Sequence, residues 1–506
     1  MEPTDIIIAG SGIACTTTVI SLFRKLIDSL TQQTISITVI EKHHEFWTGI
    51  PYGNRSSVNA LTITSIADFF TDEKERDLFF EWFKLNKQEL LSGYLTDGGL
   101  GASEWLQRNK TAIDNEDWEK VYLPRFMFGR YLNEILKDLL QVVESKQLVK
   151  LTLIIAEVIN ATPVDDQYEV TLEYPDKTQS KLIARKLVIA TGSAPVMNIA
   201  VDDSVTLINN LYEPTVNDNI AKLETALTNV ANVADRNVLL VGSNASSIEF
   251  LYLLAGLPHI TSLINKLVVV SKSGLLPYHI LDKELVHYST ENLDQLKKVE
   301  GYDIKTLVTA AMQDIKAAVK DGVIIPHIDR IISYTFELME RLGEEARKQF
   351  IGIYGMQLSN LFRRSGADYK GGEAALYQTQ KLTLLKGAFV NVESGFLNYT
   401  DPQTGEQNRY DNPFKVVINC TGADDLDKSS SRLIHSLVHE DIAKVNLSGK
   451  GFYVNENFEA APNLYIIGPL LGGNMNSRIH FWHLENASRL MYLAPFLADC
   501  LLQDLF

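Results

Sequence analysis

The chain has 506 residues, and at roughly 150 residues per domain that length predicts two to four domains. Forty-seven Lys and Arg against 63 Asp and Glu leave a net charge of −16, which argues against a nucleic-acid or anionic-membrane binder, because such proteins draw affinity from clustered cations. An apolar fraction of 45% with 22% charged residues belongs to a globular chain, not to a disordered or collagen-like one. Three cysteines (Cys15, Cys420 and Cys500) with no CxxC exclude a disulfide framework and a dithiol relay, and agree with a reducing compartment.

The first residues, MEPTDIIIAGSG, carry Glu2 and Asp5 where a secretory signal would carry Lys or Arg. No stretch reaches the ~20 apolar residues of a membrane span. A cytoplasmic protein without an integral membrane segment is expected. Residues 5–9 (DIIIA) predict a buried strand, and Gly10, Ser11 and Gly12 a tight turn. Val19, Ile20, Leu22, Phe23, Leu26, Ile27 and Leu30 recur at helical spacing, and residues 36–40 (SITVI) predict a second buried strand that closes on Glu41.

That order has a specific chemistry. Gly10 permits the turn, and Gly12 lets backbone amides approach a pyrophosphate at the helix start. Glu41 stands where a carboxylate accepts both hydroxyls of an adenosine ribose. Cys15 occupies the third motif position, where a small residue keeps helix and strand close; a packing role is expected for it. The interval from Gly12 to Glu41 exceeds the usual ~20 residues, which a longer crossover helix explains. The alternative is a turn of the same shape with no ligand.

Further along, residues 67–120, rich in Phe, Trp, Glu and Lys, predict a mostly helical insertion. Residues 186–195 (KLVIATGSAP) predict a buried strand ending in Thr191 and Gly192. Residues 237–256 repeat the strand, glycine, helix order at Gly242, with Glu249 seven residues later. Residues 267–277 predict a strand running into a basic loop at Lys272, and 283–370 are strongly helical. Residues 416–425 (VVINCTGADD) give another strand, ending in Thr421 and Gly422. Residues 463–474 give a strand and a glycine-rich turn, with a helix expected from about Ser477 that would carry His480 and His483. Residues 484–506, amphipathic and interrupted by Glu485, Arg489, Pro495 and Asp499, predict a docked C-terminal helix. His480 and His483 lack a third ligand for a metal, so they line a pocket or pack; no metal site is expected. His43 and His44 read as a solvated turn. No GxSxG elbow, P-loop or HExxH occurs, and no catalytic side chain is assigned.

Two dinucleotide units in one chain, one nested in the other, with Ala-Thr-Gly and Cys-Thr-Gly turns at the crossings, form an ordered set. With GSGIAC at the start, Gly49-Ile50-Pro51-Tyr52-Gly53, Val58-Asn59-Ala60-Leu61, FFEWF (79–83), LPRFMFGRYL (123–132), SKSGLLPYH (271–279), RRSGADY (363–369), INCTG (418–422) and LYIIGPL (464–470), the chain resembles the FAD/NAD(P)-binding flavoprotein oxidoreductases. These are a largely uncharacterised bacterial family, kin to the class B and N-hydroxylating flavin monooxygenases. The FxGxxxHxxxW pattern of Baeyer–Villiger enzymes is absent.

The resemblance implies an α/β fold with two Rossmann-like dinucleotide-binding domains, the FAD domain split and the second unit nested, plus helical insertions. The FAD domain would take residues 1–66, 121–200 and 371–506. The insertions would be 67–120 and 283–370, and the NAD(P)-type unit 201–282. It implies FAD held by Gly10, Ser11, Gly12, Ile13, Ala14 and Cys15 at the pyrophosphate, and by Glu41, Lys42, Val158, Thr191 and Gly192. The flavin ring would lie near residues 49–59, including Asn59, and near Gly468, Pro469 and Asn474. Arg125 would serve the FAD phosphates or anchor its own helix, with a surface salt bridge as the alternative.

NADPH or NADH would sit at Gly242, Asn244 and Lys272, and Thr421 and Gly422, in the last FAD-domain segment, would also bind cofactor. Asn244 stands where the motif has its second glycine; asparagine tolerates positive φ but brings a side chain toward the phosphates. Lys272 replaces the family's usual Arg and supplies charge without the bidentate fork, which leans only weakly toward NADPH. The expected function is an FAD-dependent NAD(P)H oxidoreductase, of the monooxygenase kind, acting on a small-molecule substrate. The alternative is a flavin-binding interaction or regulatory protein with a degenerate nicotinamide site, meeting a protein partner through the helical insertions.

Overall fold

The computed structural model describes residues 3–29, 33–70, 72–279, 287–323, 328–361, 363–484 and 486–505. Glu2, Leu30, Glu485, Phe506 and the boundary at 282–283 lie outside the described residues.

Two sheets, one mixed around a parallel centre and one parallel, organise the chain. The first joins β1 (Thr4–Ala9), β2 (Ile35–Glu41), β3 (Val149–Ile155), β4 (Glu157–Val164), β5 (Gln167–Glu173) and β6 (Gln179–Ile189). The second is built on β7 (Thr206–Ile208), β8 (Asn237–Val241) and β9 (Lys266–Ser271). Next come β10 (Tyr278–His279) and its partner β11 (Arg364–Ser365), then β12 (Leu382–Lys386), the antiparallel set β13 (Ala388–Glu393), β14 (Phe396–Thr400) and β15 (Gln407–Arg409), and β16 (Val416–Asn419). The chain returns to the first sheet with β17 (Glu459–Ala461) and β18 (Leu464–Ile466), and forms a last hairpin from β19 (Asn474–Met475) and β20 (His480–Phe481).

The first sheet runs β17-β18-β6-β1-β2-β3, with β4 and β5 added as an antiparallel flap on β6; the second runs β12-β9-β8-β16-β7, parallel throughout. β1 and β8 are largely apolar because both of their faces are buried: Ile6, Ile7 and Ile8 are fully buried, as are Val238, Leu239 and Leu240, and one face of β8 packs on Val392 and Leu397 of the β13–β14 pair. The order reverses beside β1 and beside β8, and such a reversal opens a crevice at the carboxyl ends of the strands. Residues 371–506 do not return as a block to the first fold: β12 and β16 pair in the second sheet, and only the segment from β17 onward rejoins the first. Parallel strands need long crossovers, and the chain uses the interval between β12 and β16 for the β13–β15 meander.

The 67–120 segment is dominated by a helix over Glu73–Asp114, kinked at Gly99, where φ is 56°. Helices over Glu291–Lys297, Ile304–Lys320 and Asp329–Met339, with those that follow to Leu361, bury a core of their own around Leu307, Ala311, Ile331 and Leu338. Trp482 and Met475 of the last hairpin pack against that core. The expected helix from Ser477 is therefore replaced by the β19–β20 hairpin. The reason is local: the Asn476 side-chain oxygen accepts from the Arg478 and Ile479 amides, and Asn476 N donates to Ile479 O at 2.6 Å, which closes a turn. The C-terminal helix begins later, over Ala487–Leu502, capped by the Asn486 side chain accepting from Ser488 N. Among the described residues no helix is long and apolar enough to cross a membrane.

Candidate functional site

The strand ends of the first sheet converge. Gly10 N donates to Ile40 O at 2.8 Å and Ala190 N to Ala9 O at 2.8 Å, so the loops after β1, β2 and β6 leave the sheet side by side. Ile467 N donates to Ile189 O and brings Gly468 to the same edge. Gly10 has φ +94°, and a Cβ there would stand 2.5 Å from Ala190 O. A Cβ at Gly12 would meet nothing nearer than the Gly49 α-carbon at 3.6 Å, and one at Gly192 nothing within 4 Å. Gly12 and Gly192 thus leave room beside the turn, as a pyrophosphate cradle requires. The helix Ile13–Asp28 carries no acid in its first turn, so its free N–H groups and positive dipole end are left for an anion.

Glu41 is held in place by its own neighbours: its Oε2 accepts from Ser11 N at 2.9 Å and Ser11 Oγ at 3.0 Å, and its Oε1 from His43 N at 3.1 Å. Ser11 is fully buried; Ile13, Ala14 and Cys15 line the helix start beneath it. Lys42 is exposed and pairs with Glu213 at 3.4 Å. Val158 is buried two residues beyond Ala156, whose amide donates to Glu41 O. Buried polar atoms without a partner, His43 Nε2 and Thr48 Oγ1, stand on the loop that leaves β2, a donor–acceptor set that a nucleotide could satisfy. His43 is half-buried, and burial with the positive charges of Arg55 and Lys42 holds its pKa below the usual histidine value; only His44 is exposed.

Gly468 has φ +92° and lies against Ala14, with Pro469 opening a short 3-10 turn after it. Asn474 belongs to the framework of that turn: its Nδ2 donates to Phe452 O at 2.7 Å and Leu471 O at 3.0 Å, and its Oδ1 accepts from Val454 N. Asn59 donates to Gly98 O at 2.9 Å, beside the Gly99 kink, and its Oδ1 is buried without a partner.

The second sheet repeats the arrangement. Gly242 N donates to Val270 O at 2.9 Å and Cys420 N to Val241 O at 2.8 Å. Gly242 has φ +104°, and a Cβ there would run into the Cys420 carbonyl, as one at Gly10 would into that of Ala190. Thr421 and Gly422 follow Cys420 as Thr191 and Gly192 follow Ala190, and a Cβ at Gly422 would again meet nothing. Asn244 caps the helix Ala245–Ala255 with φ −94° and ψ −155°, close to the −73° and −174° of Gly12. The position is extended, so tolerance of positive φ is not what it asks of Asn244; only the space beside it differs from the glycine case. The Asn244 side chain makes no capping bond, and the first turn again lacks an acid.

Hydrogen-bond register makes Ser271 the counterpart of Glu41, since Ile40 and Val270 accept from the two motif glycines. Lys272 follows Ser271 as an exposed cation, and Lys386 of β12 pairs in register with Ser271. The nucleotide edge that is acidic in the first unit is neutral and basic in the second.

Arg125 joins the two units. Its Nη1 lies 2.8 Å from Glu249 Oε2, its Nε donates to Leu61 O at 2.6 Å, and the Tyr369 hydroxyl donates to the same carbonyl at 3.0 Å. Glu249 is buried on the helix Ala245–Ala255, so this is a buried pair and not a surface salt bridge. Burial pulls the Arg125 guanidinium down, and the Glu249 carboxylate more than offsets it, which keeps Arg125 charged.

Above this pair lies a cavity of about 380 Å³, bounded by Ala245 and Ile248 of the second unit, Phe336 of the helical insertion, Tyr369, and Trp482 and His483 of the last hairpin. His483 also adjoins the C-terminal glycine turn: a Cβ at Gly472 would lie 3.3 Å from the His483 α-carbon. Burial, then the positive charges of Arg489 and Arg363, lower the His483 pKa to about 4. The cavity lies between the start of the second nucleotide helix and the turn that closes the first. Sequence reading missed Ser271, Lys386, Tyr369 and Trp482; the RRSGADY motif was the available signal for Tyr369, and the rest depend on register or tertiary packing. Among the described residues no cluster of ligating side chains could hold a metal.

Two strand-end clusters of one construction define a protein with two dinucleotide sites. Residues 7–194 match the family model for FAD-NAD(P)-binding proteins. Uncharacterized proteins of Mycobacterium tuberculosis (strain H37Rv) and Mycobacterium bovis are 33% identical to the chain over 511 residues, covering 99% of this chain and 96% of theirs. In fold the chain is similar to the reduced form of ornithine hydroxylase from Pseudomonas aeruginosa, at 13% identity over 100% of both chains and a TM-score of 0.52. The chain belongs to the FAD/NAD(P)-binding flavoprotein oxidoreductase family, and FAD and a nicotinamide dinucleotide are its cofactors.

Proposed function

We propose that the protein is an FAD-dependent oxidoreductase of the monooxygenase type that draws reducing equivalents from NADPH and acts on a small molecule held in the cavity beside His483. The observation that carries this reading is the position of the cavity. One wall is Ala245 and Ile248 at the second nucleotide helix, and the opposite wall is His483, which adjoins the glycine turn after β18. A substrate there would sit where the two cofactors meet.

Bound FAD supplies the redox chemistry, accepting hydride from the nicotinamide and passing electrons to oxygen or another acceptor. The chain's own residues bind and orient. Gly10 to Cys15 and the helix start beneath them would take the FAD pyrophosphate, Glu41 with Lys42 its ribose, Val158 the adenine side, and Thr191 and Gly192 the neighbouring backbone. Gly468 and Pro469 would bring backbone dipoles to the flavin ring, with Asn474 bracing their turn and Asn59 tying the residue 49–59 loop to the insertion. Gly242, Asn244, Thr421 and Gly422 would hold the second pyrophosphate. Ser271, Lys272 and Lys386 favour a 2′-phosphate over a bare ribose diol, because no carboxylate stands where Glu41 stands in the first unit. Phe336, Trp482 and Tyr369 line the cavity and would exclude water from it once a ligand is bound.

The test is anaerobic mixing of the FAD-loaded protein with NADPH and, separately, NADH. Rapid loss of the flavin absorbance with NADPH, followed by oxygen consumption on admitting air, is expected. A protein that neither pyridine nucleotide bleaches would instead be the flavin-binding regulatory module, a reading favoured by one observation, the Asn244 side chain at the second motif position.

A further inference from the structure

The balance of charge around the cavity beside His483 restricts what can enter it. Among the described residues no Asp or Glu lines the cavity. The nearest carboxylate in this network, Glu249, has both oxygens engaged: Oε2 lies 2.8 Å from Arg125 Nη1, and Oε1 accepts from Ser56 Oγ at 3.4 Å. An ammonium group entering here would lose its hydration and find no counter-charge in exchange. An anion fares no better. Arg125 is bound by Glu249 and by Leu61 O, and Arg363 and Arg364 have partners of their own. His483 is uncharged at neutral pH, because burial, then Arg489 and Arg363, lower its pKa to about 4. A carboxylate would be stripped of water against cations that are already engaged.

Most of the wall is apolar. Ile248, Ile332, Phe350 and Leu358 line it, and Phe336 and Trp482 stack with centroids 6.1 Å apart and planes inclined by 22°. A volume of about 380 Å³ falls in the range of small-molecule sites. Three polar atoms of the lining residues are buried and have no hydrogen-bond partner: Ser365 Oγ, Trp482 Nε1 and His483 Nδ1. Ser365 is 6% exposed. Polar groups left unpaired in a protein interior are costly and few, and three around one cavity mark a place where a ligand completes the bonding. The Trp482 indole N–H is a donor only, and the Ser365 hydroxyl donates as readily as it accepts, so the ligand must present an acceptor. An acceptor that carries no charge is a carbonyl, ether or hydroxyl oxygen.

We propose that the cavity selects an uncharged, largely apolar molecule with an accepting oxygen, that oxygen taken by the Trp482 indole and the Ser365 hydroxyl and the hydrocarbon body lying against Ile248, Phe336 and Phe350. This deepens the proposed function and rests on it for the claim that the ligand is a substrate. Binding itself is read without turnover. The experiment uses the oxidised, FAD-loaded full chain at neutral pH with no pyridine nucleotide present. Acetophenone, phenylacetone and benzylacetone are titrated by calorimetry, each beside the carboxylate, the amine and the oxygen-free hydrocarbon of like skeleton. Saturable binding of at least one ketone, at least tenfold tighter than its acid and its amine, is expected. Ser365→Ala and Trp482→Phe, both mild in packing, should each weaken that ketone several-fold and change the hydrocarbon less than twofold, which separates a lost hydrogen bond from altered packing. Ketones without saturable binding, an acid or amine that binds as tightly as its ketone, or variants that weaken ketone and hydrocarbon equally or neither of them would overturn the proposal. Failure of NADPH to bleach the flavin would overturn the oxidoreductase reading alone.

Discussion

Gly242 stands with its α-carbon against the carbonyl of Cys420, so that a Cβ would lie 2.7 Å from the carbonyl carbon, and it holds φ at +104° to do so. Gly10 stands to Ala190 in the same way. On the proposed assignment the two glycines serve different nucleotides, which would make them separable by mutation. Gly242→Ala is expected to purify with its flavin but to lose NADPH-driven bleaching, while Gly10→Ala loses the flavin. Positive φ alone costs an alanine on the order of 1–3 kcal/mol, and the carbonyl contact adds to that. The ratio of flavin to protein absorbance and the anaerobic bleaching rate report the two effects; equal flavin loss in both variants would contradict the assignment.

The Arg125–Glu249 pair connects the helix that follows residue 124 with the helix of the second unit. Deleting one partner of a buried pair leaves the other charge uncompensated, at about 3–5 kcal/mol. Arg125→Met or Glu249→Leu alone should lower stability by that order, and the double variant should recover part of it. Urea unfolding curves check this, and additive losses would show that the two residues are not coupled.

Ser271 gives a lever on nucleotide choice. Ser271→Asp should lower kcat/KM for NADPH relative to NADH, by placing an acid where the 2′-phosphate would lie. Lys272→Ala and Lys386→Ala should each raise the KM for NADPH about tenfold, equivalent to ~1.4 kcal/mol, with little change for NADH. Steady-state kinetics with both nucleotides decide the point.

His483 couples the cavity to pH. Its pKa is lowered from 6.5 to about 4 in the fold. Between those values the unfolded chain binds a proton that the folded one refuses, so stability falls as pH drops from about 6.5 toward 4. Unfolding temperatures at pH 7 and pH 5 should differ less in His483→Gln than in the parent protein. An identical pH response in both would remove His483 from this role.

Much of the fold could be read from the sequence because its signals are local. The strands β1, β8 and β9 are continuous apolar runs, and Gly10 and Gly242 mark turns that other residues resist. The site was less legible. Glu249 was visible as a residue after Gly242, but its partner Arg125 comes from a distant helix and no spacing rule links them. Ser271 acquires its meaning only from the register that sets it opposite Glu41's place. His480 and His483 suggested one helical face, yet the Asn476 turn made a hairpin and sent only His483 into the cavity. Arg125, Asn59 and Asn474 each acquired protein partners that a motif cannot announce.

The buried cysteines have a consequence for how the fold would meet an oxidant. A flavoprotein that handles oxygen releases some hydrogen peroxide, and peroxide attacks thiolates. Burial pushes the thiols of Cys15, Cys420 and Cys500 up, that of Cys420 to about 12, so each stays protonated and enclosed. The chain thus offers peroxide no ready thiolate. Its thiols should remain unmodified by a thiol reagent in the native state and become available only when the protein unfolds, which makes them a built-in reporter of the intact fold.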